Sequence, residues 1–304
     1  MQKQLIVIAG PTAVGKTAAA IRVAKHFRTS IISADSRQCY REISIGTAKP
    51  TAAELAEVPH YFIDSHHITD DLNAGIYEQL ALGYCAEIFE ESDVAVVCGG
   101  TGLYIKALCE GIDDMPETDR GIEKELQKGF EEQGIAWLQN LTRQEDPEFY
   151  RIAEQQNPAR LIRGLAFKRA TGNSISSFRS GIIKQRPFRI TKIALDLPRA
   201  ILYERINIRV DQMIQEGLWE EAAGLYPQRA LKNLQTVGYT EIFECLEGNI
   251  SKAKSIELIK QHSRNYAKRQ LTWFRKDPQY QWFQPTDIDA ILSYLSDKIS
   301  PAIG

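Results

Sequence analysis

Residues 4–17, QLIVIAGPTAVGKT, decide the fold of this 304-residue chain. The run at 4–9 is almost continuously apolar, which is typical of a strand buried on both faces of a parallel sheet. Residues 17–27, TAAAIRVAKHF, place apolar side chains at helical spacing. Between them, residues 10–17 match G-x-x-x-x-G-K-[ST], the phosphate-binding P-loop pattern, in the strand-to-helix context that it requires. The sequence therefore predicts a strand, a phosphate loop and a helix in succession.

Further apolar runs alternate with helical periodicity beyond this stretch. Residues 31–34 and 93–98 (DVAVVC) predict two more strands, and residues 193–197 (IALDL) predict a later return to the sheet. A helix is predicted between the first two by apolar residues that recur every four positions: Ile76, Leu80, Tyr84 and Ile88. Alternating strands and helices indicate an α/β fold with a doubly wound parallel sheet.

The pattern changes to mostly helical periodicity after about residue 112. We therefore predict that residues 1–112 and 191–304 form a P-loop catalytic core with C-terminal helices. Residues 113–190 are predicted to form a mostly helical domain inserted into that parallel-sheet core.

The phosphate loop indicates a diphosphate or triphosphate ligand. Its glycines let the backbone wrap round an anion, and the helix N-terminus directs amides at it. Lys16 adds a positive charge, and the Thr17 hydroxyl can ligate Mg²⁺, the expected cofactor. The predicted diphosphate-binding residues of the loop are Gly10, Thr12, Ala13, Val14, Gly15, Lys16 and Thr17. The loop alone leaves open whether a phosphoryl group is transferred or the phosphates depart as a leaving group.

Asp35 is the strand-end acid nearest to the loop in sequence. Many P-loop nucleotidases carry an Asp at the end of a later strand, but here the strand at 93–98 runs into Gly-Gly-Thr-Gly. Because the carboxyl ends of strands face the ligand crevice in an open α/β sheet, Asp35 is predicted to lie near the phosphate loop. A helix cap or turn role is the alternative.

The net charge of −2 conceals an uneven distribution along the chain. Residues 110–132 carry nine acidic and three basic side chains, whereas residues 151–210 carry thirteen basic and three acidic ones. Residues 260–276 add six Lys or Arg and no acid, with Tyr266 and Trp273 among them. Such runs can neutralise phosphates and stack on bases. A solvated helix face is the alternative.

Composition and the number of cysteines exclude several classes of protein. Apolar residues at 43% and charged residues at 25% exclude disordered, fibrous and collagen-like chains. The five cysteines are odd in number and mostly lie among apolar neighbours, which predicts buried free thiols and a reducing compartment. The spacings assemble neither a zinc site nor a Ser/His/Asp triad. The apolar run at residues 5–9 is too short for a signal-peptide core or a membrane span, so we expect a cytoplasmic protein without membrane contact.

Seven motifs occur together and in order along residues 5–275. They are GPTAVGKT, SADSRQCY, IGTAKP, VCGGTGLY, QNPARLIR, RINIRVDQM and LQTVGYTEI. In this combination the chain resembles the bacterial tRNA dimethylallyltransferases, the isopentenyl-tRNA transferase family. The resemblance implies transfer of a dimethylallyl group from dimethylallyl diphosphate to N6 of the adenine 3′ of the anticodon, with release of diphosphate. The implied partner is the tRNA anticodon stem-loop, and a monomer is expected.

The resemblance also implies roles for individual residues. Asp35 matches the family's catalytic Asp, which orients the adenine amine and takes its proton, and Arg209 matches its diphosphate-binding Arg. Together with Thr17, these residues are the expected catalytic set. The expected tRNA-binding residues are Asp35, Ser36, Arg37, Gln38, Thr101, Glu123, Ala159, Arg160, Arg163, Gly238 and Tyr239.

Arg205 is a further predicted diphosphate ligand. In ILYERINIRVDQMI, residues 201–214, Arg205 and Arg209 stand four positions apart on one helix face. They flank a stripe that is expected to be buried, formed by Leu202, Ile206, Val210 and Met213. Two cations on one face can meet one diphosphate, and a pair of surface arginines is the alternative.

One motif departs from the family pattern. Where Arg-Ala-Leu-Glu is expected, residues 163–166 read Arg-Gly-Leu-Ala. The change removes an acid and places Gly164 inside a predicted helix, which lowers the expected stability of that helix.

Three other functions stay open from the residues themselves. A small-molecule P-loop kinase could use the basic insert as a lid over ATP. A prenyltransferase could act on free adenine nucleotides, although a mononucleotide needs no large basic surface. A non-catalytic RNA-binding module is disfavoured by the intact phosphate loop.

Overall fold

A computed structural model describes residues 2–113, 115–116, 118–178 and 181–299. Helices dominate the chain, and short strands recur between them. In chain order the elements are β1 (Gln4–Ala9), α1 (Lys16–Phe27), β2 (Ile31–Ser33), α2 (Ala52–Glu57), β3 (His60–Tyr61), α3 (Ala74–Glu91), β4 (Val94–Gly99), α4 (Gly102–Glu110), α5 (Arg120–Glu145), α6 (Pro147–Ile152), α7 (Pro158–Thr171), β5 (Arg189–Leu195), α8 (Arg199–Gln215), α9 (Leu218–Leu225), α10 (Tyr239–Leu246), α11 (Lys252–Phe274), β6 (Gln281–Phe283) and α12 (Ile288–Ile299).

A single sheet of six strands organises the fold, in the order β3-β2-β4-β1-β5-β6. Every pair of neighbours is parallel. The central strand β1 lies between β4 and β5, with Ile6 opposite Val96 on one side and Thr191 on the other. All six residues of β1 are buried, as its apolar run predicts. The predicted α/β fold with a parallel P-loop core is confirmed.

The strand β5 begins and ends earlier than the sequence predicts. It spans Arg189–Leu195, not residues 193–197. Its first half is polar and therefore gives no apolar signal. Lys192 is nevertheless buried within it, because its Nζ lies 2.8 Å from Asp277 Oδ2 and 3.4 Å from Glu110 Oε1. The strand therefore includes a buried lysine with ion-pair partners, and hydrophobic periodicity does not predict such a residue in a strand.

The chain divides into two compact units. The core unit contains Met1–Gly111 and Gln185–Gly304, and the helical unit contains Ile112–Lys184. The sequence prediction put the return to the core at residue 191, whereas the division comes before Gln185. Arg186 gives the reason: its guanidinium is held in the core unit by Glu78 Oε1 at 2.7 Å and by two carbonyl oxygens of α4.

The hydrophobic centre of the core unit lies between the sheet and helices α1, α8 and α12. Ile6 and Ile8 of β1, Val23 of α1 and Leu295 of α12 are fully buried there. Ile206 of α8 joins them at 2% exposure. Burial of this face fixes α1 and α8 against the sheet, and both helices carry residues predicted to bind diphosphate.

Gly164 is required by packing inside the helical unit. Its core contains Leu126, Leu138, Phe149 and Leu165, all buried. A Cβ added to Gly164 would come within 2.1 Å of the Phe149 ring. Gly164 therefore lowers the helix propensity of α7 but allows close packing against Phe149, which a larger residue would prevent.

Neither disulfide bonds nor membrane-spanning helices are found in the described part of the chain. All five cysteines are free thiols, as predicted. Cys39, Cys85 and Cys109 are buried, whereas Cys98 and Cys245 are half-buried. Burial raises the pKa of the Cys85 and Cys109 thiols to about 12, so both stay protonated and unreactive.

Candidate active site

The phosphate loop joins the end of β1 to the first turn of α1. Gly15, with a φ of 105°, occupies the left-handed region that precedes the helix. The Lys16 ammonium turns back and donates to the Pro11 carbonyl oxygen at 2.7 Å. Burial lowers its pKa to about 8, and the nearby Arg209 acts in the same direction. A half-buried ammonium at a helix N-terminus is suited to an anionic ligand, whose negative charge would raise its pKa again.

Two arginines of α8, a helix that follows the helical unit in the sequence, contact the phosphate loop. Arg205 Nη1 donates to the Val14 carbonyl at 3.4 Å, and Arg209 Nη1 donates to the Thr12 hydroxyl at 3.2 Å. Burial lowers the pKa of Arg209 from its ordinary value, and Asp35 opposes that shift. The structure thus brings the predicted diphosphate ligands from both segments together: Arg209 is half-buried at the loop, whereas Arg205 reaches it from an exposed position.

Asp35 lies two residues after the end of β2 and caps the turn there. Its Oδ1 accepts from the backbone amides of Arg37 at 2.8 Å and Gln38 at 3.3 Å. Asp35 also lines a cavity with Thr12 and Arg209. The turn-capping role is therefore real, and it holds the carboxylate at the carboxyl edge of the sheet beside the phosphate loop.

The cavity beside Asp35 has a volume of about 130 Å³. Its polar lining includes Asp35, Arg37, Thr12 and Arg209. Its apolar lining is contributed mainly by helices α8, α9 and α11 and the turn before α10: Ile206, Val210, Met213, Leu218, Val237 and Ile259. Three of these side chains belong to the stripe on α8 that the sequence assigned to the core. The cavity therefore offers a small apolar space directly beside three charged groups.

Gln270 and Tyr266 of α11 were missed as site residues. Gln270 is buried, accepts from the Thr12 amide at 2.8 Å and donates to the Gly100 carbonyl at 2.9 Å. Tyr266 lines the cavity, hydrogen-bonds with Thr101, and has its pKa raised to about 12 by burial. Thr101 Oγ1 in turn accepts from the Ser36 amide at 3.0 Å. The sequence gives little signal for them, because other uncharged polar residues occur in the same run.

Two predicted tRNA-binding residues of the core unit are used internally. Tyr239 is fully buried, and its hydroxyl donates to Glu221 Oε1, so its side chain offers no surface to a nucleic acid. The Gln38 amide donates to the carbonyls of Thr47 and Ala48. Gly238, by contrast, lines the cavity. The aromatic ring of Tyr239 therefore belongs to the packed interior, and the tRNA-binding role of this position stays a prediction.

The predicted tRNA-binding residues of the helical unit lie on α5 and α7. Ala159, Arg160 and Arg163 are exposed along the first turns of α7. Arg160 pairs with Glu154 at 3.2 Å, and Glu123 accepts from the Thr118 hydroxyl at 3.1 Å. Three of the four residues therefore form one accessible stretch of helix.

The basic run at 151–210 does not form a single surface. Arg186 and Lys192 are held in internal ion pairs, and Arg169 pairs with Glu145 at 2.8 Å. Arg205 and Arg209 lie at the phosphate loop. Arg179 falls outside the described residues. Several charges of this run therefore have partners within the protein, and tRNA binding by its exposed cations stays a prediction.

The second basic run, on α11, is only partly neutralised. Lys260 pairs with Asp211, and Arg275 pairs with Asp196 at 2.7 Å. The remaining side chains include an exposed group that we call the α11 face: Lys268, Arg269, Trp273 and Lys276. Trp273 is 41% exposed and packs over Gly102, one residue from Thr101.

Thr17 lies half-buried in the first turn of α1. Among the residues that the structure describes, no group of three or more His, Cys, Asp or Glu side chains could hold a metal ion. A Mg²⁺ ion needs few protein ligands when phosphate oxygens and water complete its shell. The Thr17 hydroxyl beside a phosphate loop fits that requirement.

Comparison with known proteins identifies the family. The IPP transferase family model matches residues 38–277. A tRNA dimethylallyltransferase from Christiangramia forsetii is 47% identical, with 99% of this chain and 100% of that protein covered. One from Cytophaga hutchinsonii is 44% identical over 98% of both chains. The crystal structure of the tRNA isopentenylpyrophosphate transferase from Bacillus halodurans superposes with a TM-score of 0.73 at 35% identity, covering 98% of this chain and 97% of that one.

These relatives are prenyltransferases and cover nearly the whole length of the chain, which removes the kinase and the non-catalytic module as explanations. The chain belongs to the IPP transferase family of tRNA dimethylallyltransferases.

Proposed function

We propose that this enzyme transfers a dimethylallyl group from dimethylallyl diphosphate to N6 of the adenine 3′ of the anticodon in tRNA. The observation that carries the proposal is the cavity in which Asp35, Arg209 and residues of the phosphate loop meet an apolar lining. An anionic diphosphate, a short hydrocarbon and an amine nucleophile each find a matching group there.

The loop and α8 hold the diphosphate as a leaving group. When the C1–O bond of the prenyl donor breaks, both electrons stay with the diphosphate and its negative charge grows. Lys16, Arg205 and Arg209 are positioned to stabilise that charge, together with the N-terminus of α1. Lys16 must exchange its bond to the Pro11 carbonyl for one to the ligand, which costs little because both are single hydrogen bonds.

Asp35 acts on the adenine amine. As N6 bonds to C1 of the dimethylallyl group, the amine must lose one proton, and the Asp35 carboxylate accepts it. The carboxylate is held for this role by the amides of Arg37 and Gln38. An exocyclic aromatic amine is a weak nucleophile, so fixing it against C1 supplies much of the rate.

The apolar lining binds the hydrocarbon and limits water. Val210, Met213 and Leu218 present apolar side chains that can pack against the prenyl chain. Exclusion of water protects an allylic centre that would otherwise be hydrolysed as its leaving group departs.

Mg²⁺ would be held by the Thr17 hydroxyl and by diphosphate oxygens, and when bound it would offset leaving-group charge. The donor set around the loop supports this assignment because it offers a hydroxyl and a phosphate site but no cluster of acidic ligands within the described residues.

The target adenine must be unstacked from the neighbouring bases of the tRNA, because a base within that stack cannot enter the cavity. Ser36, Arg37 and Thr101 beside the cavity are proposed to contact the flipped nucleotide. The α11 face and the exposed start of α7 supply cations for flanking phosphates.

We further propose that the enzyme works as a cytoplasmic monomer. Asp35, Arg209 and the phosphate loop all belong to one unit of one chain, so the site needs no residue from a second copy. Five free thiols suit a reducing compartment.

The test is mass spectrometry of nucleosides from tRNA incubated with the enzyme, dimethylallyl diphosphate and Mg²⁺. We expect one adenosine of the anticodon loop to gain a dimethylallyl group. Parallel incubations contain free AMP in place of tRNA, or labelled ATP in place of the prenyl donor. Modification of AMP in preference to tRNA, or no mass increase on adenosine, contradicts the proposal.

A further inference from the structure

The loop at residues 44–48 forms part of the cavity, and a carboxylate from a distant helix gathers its backbone. Glu221 of α9 accepts three consecutive backbone amides of the loop. Its Oε2 accepts from Ser44 at 2.8 Å and from Ile45 at 2.9 Å. Its Oε1 accepts from Gly46 at 3.0 Å and from the Tyr239 hydroxyl at 2.5 Å. Charge-assisted bonds of this kind are the stronger class of hydrogen bond.

The held loop carries a strained residue that contacts the diphosphate site. Ala48 has a φ of 46°, in the left-handed region that alanine rarely occupies. In this conformation its carbonyl accepts from Arg209 Nη2 at 3.3 Å and from Gln38 Nε2 at 3.1 Å. The other terminal nitrogen of Arg209 reaches Thr12 of the phosphate loop. The guanidinium is therefore held between the phosphate loop and the loop that Glu221 organises.

Tyr239 also restricts the position of the loop at residues 44–48. A Cβ added to Gly46 would lie 2.6 Å from Cε2, Cζ and the hydroxyl oxygen of Tyr239, so the loop backbone packs directly against the phenol end of that side chain. Burial and the Glu221 carboxylate raise the pKa of Tyr239 well above its ordinary value, so its hydroxyl stays a donor. The ring thus fixes the loop from one side while Glu221 holds its amides.

We propose that Glu221 is a positioning residue for the diphosphate site: it fixes residues 44–48 and, through the Ala48 carbonyl, aims the Arg209 guanidinium at the ligand. The inference rests on the proposed function in so far as that site binds a diphosphate. Glu221 does not line the cavity, and we expect it to act on diphosphate binding only through Arg209.

The experiment measures the affinity of the full chain for inorganic diphosphate by calorimetry. Glu221→Gln keeps the shape but replaces one acceptor oxygen by a donor, so at least two of the four donors lose their partner. We expect the Kd for diphosphate to rise about tenfold, the effect of losing charged hydrogen bonds. Glu220→Gln is the matched control, because Glu220 is the exposed neighbour on the same helix, and its Kd should stay within about twofold of the wild-type value.

A double-mutant cycle separates positioning from general damage. In an Arg209→Ala background, which retains Lys16 and Arg205, Glu221→Gln should change the Kd less than about twofold further, because the group it aims is gone. Full additivity of the two substitutions would overturn the inference. An unchanged Kd in the Glu221→Gln single variant would overturn it as well.

Two further measurements guard against loss of fold and against a wrong function. Tyr239→Phe removes one donor only and should raise the Kd by a smaller factor, about threefold, with residues 44–48 exchanging amide hydrogens faster. Faster exchange with no change in Kd would contradict the inference. Failure of the wild-type chain to bind diphosphate would instead defeat the proposed function, and this outcome is distinguishable because the cycle needs no turnover.

Discussion

The phosphate site and the α11 face both present cations to an anion, but they use burial in opposite ways. Lys16 and Arg209 are half-buried, hydrogen-bonded to the protein and lowered in pKa by desolvation. Lys268 and Arg269 of α11, and Lys276 in the turn after it, are exposed to solvent. Buried cations act on charge that develops at one point, whereas exposed cations act on a diffuse polyanion and are screened by salt. We therefore propose that enclosure by the protein, and not the local density of Lys and Arg, separates Lys16 and Arg209 from the cations expected to meet tRNA.

The largest effect should come from the carboxylate of the buried site. Asp35→Ala removes the proton acceptor, so we expect kcat to fall by about 10³-fold while the Kd for tRNA stays within about threefold. Single-turnover kinetics and filter binding measure the two quantities separately. Asp35→Asn is the control, since it keeps the cap on the turn but not the base. Activity near that of the wild type in either variant would remove Asp35 from the chemistry.

A smaller loss is expected when one buried cation is removed. Arg209→Ala should lower kcat/KM for dimethylallyl diphosphate by about a hundredfold, because leaving-group charge loses its partner. Arg269→Ala removes an exposed cation as the matched control and should leave that value within about twofold. Steady-state kinetics with tRNA saturating provides the comparison. Equal losses in both variants would erase the distinction between the two regions.

The lowered pKa of Lys16 predicts a pH dependence of binding. In the free protein its pKa is about 8, and a bound diphosphate must raise it, so the complex holds more protons than the free enzyme. The affinity for dimethylallyl diphosphate is therefore full below pH 8 and falls above it, by up to about tenfold per pH unit.

Calorimetry without tRNA measures this dependence, and Lys16→Arg supplies the control because a guanidinium stays charged throughout. A wild-type profile as flat as that of Lys16→Arg between pH 7 and pH 10 would contradict a titrating Lys16.

The smallest effects per residue should come from the α11 face. Lys268→Ala and Lys276→Ala should each weaken tRNA binding by about threefold to tenfold and reduce the salt slope of log Kd by about one. Neither should change kcat with tRNA saturating. Lys254→Ala, at an exposed position near the start of α11, is the control. A salt slope unchanged by both substitutions would show that this face does not meet tRNA.

The sequence predicted those parts of the site that local patterns specify. The P-loop, the strand before it and the helix after it all follow from residues 4–27, because pattern and spacing are local. Asp35 and the two arginines of α8 were placed correctly beside the loop, since strand ends and helix faces obey simple geometry.

What the sequence could not predict depends on contacts between distant segments. Gln270 bonds Thr12 across 258 residues, and Glu221 bonds Ser44 across 177. Polar residues at such positions look like ordinary surface until the fold brings their partners together. The burial of Lys192 and Tyr239 could not be predicted for the same reason, because their partners lie on other elements.

The central claim is that the phosphate loop holds diphosphate as a leaving group and not a nucleotide as a phosphoryl donor. The most direct test measures, in one reaction with tRNA and dimethylallyl diphosphate, diphosphate released and adenosine modified. We predict equal amounts of the two products, with both lost together in Lys16→Met. Release of orthophosphate, or transfer of phosphate from ATP to any acceptor without modified adenosine, would contradict it.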